Sequence, residues 1–306
     1  MSFIKSFLKF FLKTKQFAGA QNITVRHYFR LAFQYLFFFE YKKRVQLASE
    51  INPTQKIGPL PEKEGFIQLK NFEPALVQEV IKAAQKIKSE TDFEKLYQES
   101  KNKHLVSFTI PATGGAQNPF LKLAMHPSLI KMVSDYIGML PVIENIMFWY
   151  SPNKANIDNS SQLYHLDGQD TRTIQLFLYI DDVDVESGPL TLVEAAASEK
   201  IAIECNYKKT QYTKRISDEY IQQNVPKEQI HTFTGPAGSI FIADTDRCFH
   251  YGSRHASKPR YIIAFQYYTP FAFALPWKWW KKLPYAQIKE VQEFDLRERL
   301  IMGSPQ

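Results

Sequence analysis

The chain of 306 residues is long enough for one large domain with insertions, and its 38 Lys and Arg against 31 Asp and Glu give a net charge of +7, which favours anionic partners. A hydrophobic share of 44% and a charged share of 23% exclude a disordered polyelectrolyte, and 24 Phe with 16 Tyr suit a thick β-rich core. Two cysteines, Cys205 and Cys248, exclude a disulfide framework or a cysteine-built zinc site, and they fit a reducing, cytoplasmic compartment.

No apolar run approaches the roughly twenty residues of a spanning helix. No secretory leader is expected, because Lys5, Lys9 and Lys13 interrupt the opening apolar residues. In that stretch Phe3, Ile4, Phe7, Leu8 and Phe11 share one helical face, so an amphipathic helix is expected over 3–15. A second helix is expected over about 24–48, and the first acidic residue of the chain is Glu40. Asn52-Pro53 and Gly58-Pro59-Leu60-Pro61 read as a linker. Residues 1–60 are thus expected as a helical extension.

Gly65 to Lys70 reads as a short strand, and Pro74 opens a helix at its favoured first position. Thr91 with Glu94 has the form of a capping box for the next helix. A further helix is expected from Pro127 to a stop at Gly138. Short strands follow at 142–150, 161–167, 173–181, 189–193, 230–234, 238–243 and 260–269, separated by turn signals such as Ser187-Gly188-Pro189 and Gly235-Pro236-Ala237-Gly238. Many short punctuated strands predict a jelly roll, that is a double-stranded β-helix, within an α+β chain whose N-terminal helices buttress one sheet. This domain is expected over 61–275, with a polar helical insertion at about 195–228. The tail, 276–306, begins with the Trp277-Lys278-Trp279-Trp280-Lys281-Lys282 cluster.

The chemistry concentrates at Tyr164-His165-Leu166-Asp167-Gly168. On a strand, residues two apart point to one face, so His165 and Asp167 project together. A second imidazole from a distant strand would complete a two-His-one-carboxylate triad that leaves three positions open on a metal. His250, after the Gly238–Asp244 strand, is the candidate. Arg260 opens the next strand, where its planar fork can hold a dicarboxylate by two charge-assisted bonds. His27, His104, His126, His231 and His255 are read as structural. Trp149, Tyr150 and Gln175 lie on strands that can face the pocket, with core aromatics and a sheet-surface amide as the plain alternative. Cys248 shares parity with His250 and is expected to pack.

From about Glu64 to Pro270 the sequence resembles the phytanoyl-CoA dioxygenase-like family of 2-oxoglutarate oxygenases. The likeness is carried by Gly65-Phe66-Ile67-x-Leu69-x-Asn71-Phe72, His165-x-Asp167-Gly168, Asp181-Asp182-Val183 and Glu186-Ser187-Gly188-Pro189-Leu190. It continues in Gly238–Asp244, His250-x-Gly252 and Ser257-x-Pro259-Arg260. The resemblance implies that His165, Asp167 and His250 bind Fe(II), that Arg260 binds the far carboxylate of 2-oxoglutarate, and that O2 is the oxidant. It implies hydroxylation, desaturation or cyclisation of a small molecule, with release of succinate and CO2.

Two departures stand out. Glu194-Ala195-Ala196-Ala197-Ser198 replaces the family's Pro-Gly-Ser-His turn, and Gly252 stands where some members carry a hydroxyl. Halogenating relatives have a small residue where Asp167 stands, so halogenation is not expected. The basic balance suggests an anionic or lipid-like substrate, and no nucleic-acid motif accompanies it. Residues 3–15 and 277–282 fit either peripheral membrane contact or packing on the barrel. The rival class is a non-catalytic β-helix module that binds a ligand or a membrane.

Overall fold

The structure is a computed structural model that describes residues 23–153, 160–205, 207, 215–254, 256–272 and 283–304. The helix expected over 3–15, the Trp277–Lys282 cluster and His255 lie outside the described residues.

Alternation along the strands builds two facing sheets. The larger is antiparallel, with spatial order β1 (Phe66–Leu69), β7 (Ile240–Asp244), β4 (Ile174–Tyr179), β9 (Arg260–Tyr268), β3 (Val142–Ser151) and β2 (Val106–Thr109). The smaller has β6 (Ile230–Phe233), β5 (Leu190–Val193) and β8 (His250–Tyr251), and the bridge between His165 and His250 adds a further segment to its edge. From β3 onward the chain visits the sheets in the order large, small, large, small, small, large, small, large. That path is the double-stranded β-helix. With helices covering one face, the fold is α+β as expected.

Leu176 and Leu178 point outward into a core shared with α3 (Pro74–Glu90), α5 (Pro119–Ala124) and α6 (Pro127–Ile137), while Phe177 and Tyr179 point inward toward Leu190, Leu192 and Phe233. The central sheet is therefore buried on both faces, and β4 is apolar at nearly every position. Gly138, at φ 84°, closes α6 where its missing Cβ permits the left-handed turn.

Three local expectations need correction. The helix expected over 24–48 is two helices, α1 (Ile23–Leu36) and α2 (Phe38–Ser49), because Phe37 leaves helical dihedrals at φ −115°, ψ 41°. The break lets Phe29, Phe33 and Phe37 all pack beside Tyr268 and Phe271. α4 (Phe93–Glu99) is capped by Asp92, which accepts from Lys95 N at 2.9 Å. Thr91 instead donates to the Ile87 carbonyl at 2.6 Å and finishes the preceding helix. Finally, 161–167 is not a continuous strand. Residues Ser160–Gln162 form a tight turn, and pairing is confined to Tyr164 with Ile216 and His165 with His250. Its partner β8 is only two residues long, so a longer ladder has nothing to pair with.

α2 is tied to the domain by a fully buried arginine. Arg44 donates to Glu40 at 2.7 Å and to the carbonyls of Leu140, Pro141 and Leu300 at 3.1–3.3 Å. The insertion carries two helices, α7 (Ala195–Glu204) and α8 (Asp218–Asn224), and Ile216 between them bridges to Tyr164. α9 (Leu296–Ile301), opened by a capping box of Asp295 and Glu298, supplies Leu300 and Ile301 to the core.

Candidate metal centre

His165 and His250 are held face to face by a reciprocal backbone pair, His165 N to His250 O at 3.1 Å and the reverse at 3.0 Å. Their rings lie 4.3 Å apart at 46°. Two residues on, Asp167 N donates to Thr245 O at 3.0 Å, and Gly168 at φ 73° then turns the chain away. Asp246 pins that turn by accepting from Gln169 N at 3.0 Å, Asp170 N at 2.7 Å and Thr173 Oγ1 at 2.6 Å. The Asp167 side chain consequently projects beside both imidazoles.

Asp167 Oδ1 is 3.7 Å from His165 Nε2 and 3.7 Å from His250 Nε2. One donor atom from each of the three residues lies within 4.8 Å of the others, and no second such cluster occurs among the described residues. His165 Nδ1 bonds the Leu163 carbonyl at 2.8 Å, and His250 Nδ1 bonds the Cys248 carbonyl at 3.0 Å. A carbonyl accepts only, so each Nδ1 carries a proton and each Nε2 is left facing the common point. Burial, then the neighbouring His250 and Arg215, push the His165 imidazole well below its ordinary pKa, which keeps it neutral. The other carboxylate oxygen, Oδ2, accepts from Gln175 Nε2 at 2.6 Å. Two imidazole nitrogens and one carboxylate oxygen suit a divalent first-row metal with open positions.

The cluster opens into a cavity of about 280 Å³. Register explains its sheet wall: Trp149 pairs with Ile262, Gln175 with Gln266 and Tyr179 with Ile262, so these side chains share the inner face. Trp149 and Gln175 both line the cavity. Tyr150 does not. Adjacent to Trp149 on one strand, it must face the other way, and it packs on Phe93 and stacks on Tyr261 at 4.9 Å. His104, read from sequence as structural, also lines the cavity and shares a hydrogen bond of 2.9 Å with Ser161. Nothing in its local sequence marks it, because the loop before β2 reaches the cavity only through the fold. Cys248 is buried against Ala195 and Ala243 and packs as expected.

Arg260 lines the same cavity and is 5% exposed. One terminal nitrogen donates to the Gly188 carbonyl, while Nε has no hydrogen-bond partner and no acidic side chain pairs with it among the described residues. Burial lowers its pKa from the usual arginine value, with Tyr179 opposing. A Cβ at Gly252 would come within 3.1 Å of its Nη2, so the glycine makes room for the guanidinium. Arg172 and Arg254 are engaged elsewhere: Arg172 pairs with Glu62 at 2.8 Å, and Arg254 pairs with Asp218 at 2.6 Å while lying over Tyr251. A buried, un-neutralised guanidinium is costly to a fold and is satisfied by an anion.

Fold and site together define a double-stranded β-helix whose His-x-Asp and distal His meet inside the barrel, with a buried arginine in the same cavity. No protein-family model matches the chain, and no curated protein matches it. Solved structures similar to it include EctD from S. alaskensis with 2-oxoglutarate and 5-hydroxyectoine, at 14% identity, TM-score 0.47, covering 72% of this chain and 80% of that one. The non-heme alpha-ketoglutarate-dependent epimerase SnoN from nogalamycin biosynthesis is 15% identical, TM-score 0.41, with 68% and 79% covered. HygX from Streptomyces hygroscopicus, with nickel and 2-oxoglutarate, is 14% identical, TM-score 0.41, with 68% and 84% covered.

Proposed function

We propose that the protein is an Fe(II)- and 2-oxoglutarate-dependent dioxygenase of the phytanoyl-CoA dioxygenase-like kind. One observation carries the reading: a convergent His165–Asp167–His250 set and an un-neutralised Arg260 share a single cavity. His165 Nε2, His250 Nε2 and Asp167 Oδ1 would hold Fe(II), and Arg260 would hold the far carboxylate of 2-oxoglutarate. The iron, when bound, supplies the activation of O2 that couples oxidative decarboxylation of 2-oxoglutarate to oxidation of a C–H bond.

This chain's own residues do the positioning. Leu163 O and Cys248 O fix the imidazole tautomers, and Gln175 orients the carboxylate. Trp149, Phe177, Leu190 and Ile262 give the cavity an apolar wall that limits water. Asn102, His104 and Ser161 supply polar groups for a substrate. The net charge of +7 supports a small, anionic substrate. The same residue set would serve hydroxylation, desaturation or cyclisation of a small molecule.

The test is succinate release by purified protein given Fe(II), 2-oxoglutarate and O2, with candidate small acids added one at a time. Substrate-dependent succinate, lost in His250→Ala, is the expected result. A chain that binds neither Fe(II) nor 2-oxoglutarate in anaerobic titration is instead a binding module.

A further inference from the structure

Ten large hydrophobic side chains are exposed among the described residues, and seven of them fall between Tyr28 and Val45. α1 has its polarity reversed. Arg26 is fully buried, and Arg30 turns inward to donate to Thr171 Oγ1 at 3.0 Å and the Ile137 carbonyl at 2.9 Å. The solvent side carries His27, Tyr28, Leu31, Ala32, Tyr35 and Leu36, without a formal charge in that run. The patch continues into α2 with Phe38 and with Phe39, which is 85% exposed. A contiguous apolar stripe on the solvent side of a helix is one that a second apolar phase covers.

Charge shows what that phase is. Lys42 and Lys43 line one groove with Phe38, Phe39 and Val45, and Lys42 Nζ lies 5.4 Å above the Phe38 ring. No acidic residue precedes Glu40 in the chain, and Glu40 is engaged by Arg44 at 2.7 Å. The sequence upstream adds Lys5, Lys9, Lys13 and Lys15 to the same end of the chain. A second copy would bring the same cations to the same patch, whereas a lipid surface supplies phosphates and an apolar interior together. No helix among the described residues is long and apolar enough to cross a membrane, so contact would be from one side.

We propose that the exposed face of α1 and the start of α2 docks on an anionic phospholipid surface. Tyr28, Leu31, Tyr35, Phe38 and Phe39 enter the boundary between headgroups and acyl chains, and Lys42 and Lys43 meet lipid phosphates. The proposal is independent of the catalytic reading.

The full-length protein is sedimented with phosphatidylcholine vesicles and with phosphatidylcholine–phosphatidylglycerol vesicles of equal size. Binding is expected only with the anionic vesicles. The double variant Tyr35→Ser/Phe39→Ser is expected to weaken that binding at least about tenfold, and Lys42→Glu/Lys43→Glu likewise. Circular dichroism and the melting temperature should be unchanged in both. In parallel, hydroxyl-radical labelling of Tyr35 and Phe39 should be high in solution and fall when anionic vesicles are added. Undiminished vesicle binding by the Tyr35→Ser/Phe39→Ser variant would overturn the proposal. So would protection of these two residues in vesicle-free monomer, which means the chain covers its own patch. A dimer in light scattering that the same variant dissolves, without vesicle binding by the parent, assigns the face to a second copy instead.

Discussion

Asp167 presents one oxygen to the two imidazoles because the other is taken. Gln175 Nε2 holds Oδ2 at 2.6 Å and lies 3.3 Å from Thr245 Oγ1, so the carboxylate cannot rotate freely. Gln175→Leu keeps the approximate volume and removes the donor. Fe(II) affinity, titrated anaerobically or with Co(II) as a spectroscopic probe, is expected to fall roughly 10- to 100-fold, the usual cost of losing a partner that orients a ligand. An unchanged affinity would show that the backbone alone orients Asp167. Arg260 lends itself to a graded test. Arg260→Lys keeps the charge and loses the planar fork, so 2-oxoglutarate affinity should drop about tenfold or more while metal affinity stays. Gly252→Ala sets a methyl 3.1 Å from Nη2 and should weaken the co-substrate in the same direction by a smaller factor. Calorimetric titration of 2-oxoglutarate into each metal-loaded variant measures both effects.

The element that places the site is the turn from Gly168 to Thr173, and Asp246 is its clamp. Its carboxylate satisfies two backbone N–H groups and one hydroxyl across the end of β7. Asp246→Ala would strand buried donors, so urea unfolding should show a loss of about 2–4 kcal/mol. Amide exchange at Gln169 and Asp170 should quicken beyond that of the strands. A variant with parental stability would mean that the turn is held by other contacts. This clamp was not legible in the sequence, because Asp246 lies 77 and 76 residues from its two backbone partners and no local pattern announces it. The convergence of His165, Asp167 and His250 was legible, because His-x-Asp parity and a distant His are marked by residue type. Even so, the segment that carries His165 pairs only locally, and the extended parity survives without a full strand. Tyr150 was misplaced for a related reason. β3 reads Val-Ile-Glu-Asn-Ile-Met-Phe-Trp-Tyr-Ser with aromatics toward both sides, so alternation cannot say which of Trp149 and Tyr150 faces the cavity. The break at Phe37 also had no herald, since neither glycine nor proline marks it.

Across the whole molecule, a buried acidic layer joins elements distant in sequence, and it makes stability depend on pH. Asp244 accepts from Thr173 N, Asp246 N and the Tyr136 hydroxyl at 3.1 Å each, linking β7, the site turn and α6. Burial first, then the charge of Asp246, push its carboxyl from 3.8 up to about 7, with Arg247 opposing. Asp170 accepts from Thr269 at 2.9 Å, and burial pushes it from 3.8 to about 6 against the pull of Arg30. In both cases the folded chain holds a proton that the unfolded chain releases near pH 3.8. At these two groups the folded state binds more protons between about pH 4 and pH 7, so the stability they contribute falls as pH rises through that window and then levels off. Asp244→Asn mimics the neutral form and removes one of these titrations. The melting temperature of Asp244→Asn minus that of the parent should accordingly grow more positive from pH 4 to pH 7 and stay constant above it. Differential scanning fluorimetry across that range, on metal-free protein so that pH-dependent metal binding does not intrude, measures the difference directly. A difference that does not change with pH would mean that Asp244 is already ionised in the fold. The polar partners around it, the Thr173 and Asp246 amides, the Tyr136 hydroxyl and Arg247, would then be what sustains a buried charge.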